Sequence, residues 1–75
     1  MWIRSQDKEV LRNVNDIEII KFEGEKYTTI LGDGCHLGVY SSREKALMVL
    51  DWIQNQIEYK NVEVHQMPQD EDVEA

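Results

Sequence analysis

The stretch TTILGDGCHLGVYSS, residues 28–42, gathers most of the side chains that could do chemistry: Cys35, the only cysteine, beside His36, and Asp33 between two glycines. Gly32, Gly34 and Gly38 give G-x-G-x-x-x-G, one residue off the dinucleotide fingerprint. That fingerprint needs a glycine turn leading from a strand into a helix whose N-terminus holds a pyrophosphate. Here the turn leads into CHLGVY, which reads as another strand. A P-loop would need Gly-Lys-Ser/Thr, which is absent after the glycines. A nucleophilic thiol needs a base within hydrogen-bond reach. Neighbours on a strand point to opposite faces, so Cys35 and His36 diverge. Cys35 then reads as a small core residue.

Metal chemistry fares no better. One cysteine and two distant histidines, His36 and His65, do not supply the two close ligand pairs of a structural zinc site. The acids of QDED lack the glycine and spacing of a calcium loop. A carboxylate pair cannot be singled out among fifteen acids, and a chain this short offers little concavity for an active site. The expectation is a non-enzymatic protein with no catalytic residue, cofactor or metal.

The elements around these residues assign them plainer tasks. Asp33 and Gly34 suit the centre of a type I′ hairpin turn, where both residues take positive φ. Before it, WIRS, VLRNV, IEIIKF and YTTIL read as strands separated by the polar turns QDKE, NVND and EGEK. Trp2 and Arg4 share one face and Ile3 takes the other. The apolar phase of IEIIKF slips after Ile19, which predicts a bulge or a strand covered on both sides. After the turn, Cys35, Leu37 and Val39 run down the inward face. SSREKALMVLDWIQNQIEYK is the one clear helix. Ser41 and Glu44 have capping-box spacing, with Ser42 the rival N-cap. Ala46, Val49, Leu50, Ile53 and Ile57 form its core face, and Asp51, Asn55 and Glu58 mark its solvent side. VEVHQM is either a last short strand or the start of a tail.

Met48, Trp52 and Tyr59 make a second apolar stripe on that helix, away from the core face. Trp and Tyr are enriched at interface hot spots, and Met at adaptable binding surfaces. These three are the candidate protein-interface residues. The structural alternative is a stripe folded against the core edge or covered by VEVHQM.

The formal charge is −7. That argues against direct nucleic-acid or acidic-membrane binding, which needs a basic footprint. Residues 67–75 carry four acids and no base, leaving eight bases against eleven acids in residues 1–66. Such a segment reads as a disordered acidic tail. No stretch approaches the ~20 apolar residues of a membrane span, the start lacks a secretion signal, and a lone cysteine fits the cytoplasm.

Two motifs carry a resemblance. Ser5, Gln6, Asp7 and Lys8 open the chain, and Gly38, Tyr40, Ser42, Glu44, Ala46, Val49, Leu50 and Ile53 lead into and along the helix. The pattern resembles a group of small proteins of Gram-positive bacteria and their phages. It departs from them at His36, where the familiar residue before Leu-Gly is Ile. The group has no settled activity, so the resemblance implies a phage or prophage setting and a small accessory role.

The expected architecture is α+β: residues 1–66 form one domain, an antiparallel meander of four to five strands with one C-terminal helix across one face, followed by the disordered tail 67–75. The expected role is a dimeric protein-binding module whose partner is a second copy or a host or phage protein. The alternative is an acidic phage-encoded inhibitor that occupies the basic nucleic-acid-binding surface of a host protein.

Overall fold

The computed structural model describes residues 1–21, 23–59 and 63–74, without the side chain of Tyr59. The α+β class holds, but among the described residues the strands number six and do not form one meander. In chain order they are β1 (Trp2–Arg4), β2 (Leu11–Asn13), β3 (Ile17–Ile20), β4 (Thr28–Gly32), β5 (Cys35–Tyr40) and β6 (Val64–Gln66). The helix α1 (Arg43–Tyr59) comes before β6, so it is not the last element. One sheet has the order β2-β1-β6, the other β3-β4-β5. All pairings are antiparallel except β1 with β6, where Trp2, Ile3 and Arg4 lie beside Val64, His65 and Gln66.

The hairpin between β4 and β5 forms as its sequence dictates, with Asp33 at φ 50° and Gly34 at φ 81°. Beyond it the expected alternation fails. Ile30 pairs with Gly38 and Leu31 with His36, so Leu37 is an extra, bulged residue. A bulge reverses the side-chain phase of the residues beyond it. Leu37 is buried as expected, but beyond it Tyr40 is buried and Val39, expected inside, is exposed. The phase slip in β3 has no such cause, because Ile17–Ile20 pairs with β4 in unbroken register. Phe22 lies outside the described residues.

α1 packs on β4 and β5. Its start is set by Ser42, whose Oγ accepts the Lys45 N–H at 3.2 Å, so Ser42 and not Ser41 is the N-cap. Ala46, Val49 and Ile53 join Ile3, Ile30, Leu37 and Tyr40 in one core. Each large apolar side chain so buried contributes about 1.5–3 kcal/mol. Leu50 is only partly covered and Ile57 is 57% exposed, against expectation. A helix of 17 residues is about 25 Å long, and near its end Leu50 and Ile57 line an open surface with Met1 and Ile17.

The residues of the opening motif tie the two sheets together. Ser5 Oγ donates to Asp7 and accepts the Val10 N–H, which closes the turn after β1. Gln6 then reads the exposed edge of β5. Its N–H donates to Leu37 O, its Oε1 accepts the Val39 N–H at 2.9 Å, and its Nε2 donates to Val39 O at 3.1 Å. The second motif is equally structural. The Tyr40 ring lies across Gly38, where an added Cβ would stand 3.1 Å from ring atoms, and its hydroxyl donates to Pro68 O at 2.8 Å.

Residues 67–74 are not a disordered tail. Met67 and Val73 are buried in the core, and residues Asp70–Asp72 form a 3₁₀ turn. The Asp70 carboxylate accepts the Ser41 N–H at 2.8 Å and faces Lys45 Nζ at 3.5 Å. Gln69 Nε2 donates to Gln6 O. Charge density predicts solvation, but two apolar side chains and these long-range bonds hold the segment down.

Candidate functional site

Met48 and Trp52, one helical turn apart, are 44% and 39% exposed. Tyr59 ends the helix, and its side chain lies outside the described residues. The stripe is neither bare nor buried. Residues 67–74 turn back beside α1 and make a second wall, so Met48, Val49 and Trp52 face Pro68, Asp72, Val73 and Glu74 across a groove of about 350 Å³. Its lining is apolar along the floor and acidic at Asp72 and Glu74, and includes no basic residue.

The sequence pointed to one wall of this groove and missed the other. A signal was present: Val73 is a lone apolar residue among acids, and it is the one that is buried. What local pattern could not supply is the partner surface. The segment is fixed by Tyr40 and Ser41 and by Gln6, some thirty to sixty residues away in sequence.

Behind the groove, Trp52 meets His65 of β6 edge to face, with ring centroids 6.4 Å apart and planes at 86°. Such a contact adds about 0.5–1.5 kcal/mol and fixes the indole's tilt. His65 is buried, and among the described residues its Nδ1 has no hydrogen-bond partner. Burial, with the N-terminal ammonium second, holds the imidazole below its ordinary pKa. Burial likewise pushes the Tyr40 hydroxyl up, helped by the nearby Asp70 carboxylate. The Asp70 carboxyl is held down by the Ser41 N–H first and by Lys45 as well.

The residues that first suggested chemistry do not converge. Cys35 pairs with Gly32 beside the hairpin turn, and His36 pairs with Leu31 and is exposed. His65 belongs to the other sheet. Asp33 spends its carboxylate on structure: it accepts the N–H groups of Asn15 and Asp16 at 3.0–3.1 Å, and these bonds hold its pKa down. Among the described residues no group of three or more His, Cys, Asp or Glu side chains is placed to hold a metal ion. No helix among them is long and apolar enough to cross a membrane.

A second apolar surface lies on the outer face of the β2-β1-β6 sheet. Trp2, Leu11 and Val64 are 46%, 57% and 45% exposed there. The inner face of the same sheet carries the buried Ile3 and His65. No family model matches the chain, and no curated protein or solved structure matches it either.

Proposed function

We propose that this chain is a non-enzymatic, cytoplasmic protein-binding module whose groove between α1 and residues 67–74 takes an apolar side chain from a basic partner segment. The observation that carries this reading is the groove itself. It keeps Met48 and Trp52 partly in water, although covering them would stabilise the fold. Trp is enriched among interface hot spots, and a groove already shaped needs little ordering on binding. Asp72 and Glu74 at the lip, on a chain of net charge −7, favour lysine or arginine beside the inserted side chain. The resemblance to small phage and prophage proteins supports an accessory role against a host or phage protein.

Selection from a random short-peptide library on the immobilised protein tests this. Enriched peptides should pair an apolar or aromatic residue with flanking Lys or Arg. They should lose about tenfold or more in affinity on Trp52→Ala, and weaken with salt. Enrichment without basic bias, or equal binding to Trp52→Ala, would refute it.

One observation favours a related second reading, an acidic inhibitor of a basic nucleic-acid-binding surface. Glu71 and Asp72 are exposed in an ordered turn, and Glu74 is exposed just after it, beyond the buried Val73. In that case neutralising these three acids should abolish binding even where Trp52→Ala does not.

A further inference from the structure

We infer that the groove between α1 and residues 67–74 selects arginine, and not lysine, as the basic residue of its partner segment, with the guanidinium stacked on the Trp52 indole and paired to Asp72 and Glu74. This rests on the groove being a site for a basic segment, and it names the residue that segment must carry. The indole stands ready for such a contact. His65 supports it from behind, with the two planes at 86°, and the ring is still 39% exposed where it lines the groove. A cation over the face of a tryptophan, within about 6 Å of the ring centroid, is attracted by the ring quadrupole, and arginine makes this contact more often than lysine. Met48 and Pro68 line the same groove and offer an apolar bed to the methylene stem.

The two acids are placed as a pair. Val73 is extended, at φ −102° and ψ 115°, and its side chain is buried in the core. In extended chain the neighbours on either side point the other way. Asp72 and Glu74 are both exposed and therefore share one side of the segment, with Cα atoms about 6.6 Å apart. Lys45, the basic side chain one turn before Val49 on α1, is taken up by Asp70: its Nζ lies 3.5 Å from the carboxylate and 3.0 Å from the carbonyl oxygen. This is the one ion pair among the described residues, so Asp72 and Glu74 face the groove uncompensated there. Charge thus decides for a cation, and shape decides which. A lysine ammonium is a compact, strongly hydrated charge that must shed water to reach an apolar floor. A guanidinium is planar and more weakly hydrated, so it can lie flat on the indole while its edge donates to carboxylates. An uncharged planar group would keep the stacking and lose the pairing.

Three peptides separate these contributions: acetyl-Gly-Leu-X-Gly-amide, with X arginine, lysine or citrulline, the last a planar neutral match for arginine. Each is titrated into the isotope-labelled full chain and followed by NMR at Met48, Val73 and Glu74. The arginine peptide should bind about fivefold or more tighter than either of the others. In Trp52→Leu, which keeps an apolar side chain in the groove, arginine and lysine should bind alike. In the double variant Asp72→Asn with Glu74→Gln, arginine should fall to the level of citrulline. The native chain alone decides the main comparison, so nothing hangs on the variants folding, and the same spectra show whether they do. If lysine matches arginine and both exceed citrulline, the groove still takes a basic segment but arginine selection is overturned. A preference for arginine undiminished in folded Trp52→Leu overturns it as well. If no peptide shifts the groove residues, or if they shift only with protein concentration as a second copy would make them, both the selection and the site for a basic segment fall.

Discussion

Asp33, between β4 and β5, and the acids around the Asp70–Asp72 turn stand in contrasting surroundings. The Asp33 carboxylate is fully engaged by two backbone N–H groups, which fasten the link between β2 and β3 to the hairpin. Asp70 is engaged in the same way, by Ser41 and Lys45. Two and four residues on, the Asp72 and Glu74 carboxylates accept no backbone N–H among the described residues and line a groove beside an exposed tryptophan. Residue type alone does not separate a structural acid from one available to a partner. What separates them is whether backbone donors point at it.

The largest expected effect tests how the C-terminal segment is held. Tyr40→Ala removes a fully buried ring and the bond to Pro68 O, and should cost about 3–5 kcal/mol by chemical denaturation. Tyr40→Phe, which keeps the ring, should cost only about 1 kcal/mol. If the two variants were equal, the segment would not rest on Tyr40 packing.

A second effect is acid sensitivity. A histidine held below its ordinary value of 6.5 contributes stability that is present above that pH and is lost as pH falls towards the folded value. Asp7, Asp33 and Asp70, held below 3.8, contribute stability present above that pH and lost as it falls through their lower folded values. The melting temperature should be level between pH 8 and 7, fall gradually below about 6.5, and fall again below about 4. His65→Leu should remove the first decline and leave the second. A profile unchanged by that substitution would mean that His65 is not the group involved.

The smallest effects sharpen the contrast itself. Asp33→Ala should lower the unfolding midpoint, by less than Tyr40→Ala, and leave peptide binding by the folded protein unchanged. Asp72→Asn with Glu74→Gln should do the reverse, weakening binding to a basic peptide without moving the midpoint. If the single and the double variant acted alike, the division between structural and available acids would be wrong.

Local features were legible in the residues. The Asp33-Gly34 hairpin, the helix and its apolar face from Ala46 to Ile53, and the exposed stripe at Met48 and Trp52 all arise from short-range pattern. What escaped depends on distant contacts. Nothing near Val64 announces that it will lie beside Trp2, and nothing near Leu37 marks it as the residue left over in the ladder. The packed segment 67–74 escaped for the same reason, because the groups that fix it come from the turn after β1 and the end of β5.

The β1–β6 pairing has a kinetic side. Ile3 and Met67 belong to one core, and Gln6 reaches Pro68 across 62 positions of chain. Contacts this far apart in sequence are slow to form, because the entropy of closing the loop is lost before they return anything. Until residues 64–67 have left the ribosome, β1 lacks one of its two strand neighbours and the core lacks Met67. A protein truncated before residue 64 should therefore unfold more readily than the full chain, like a garment whose clasp was never sewn on.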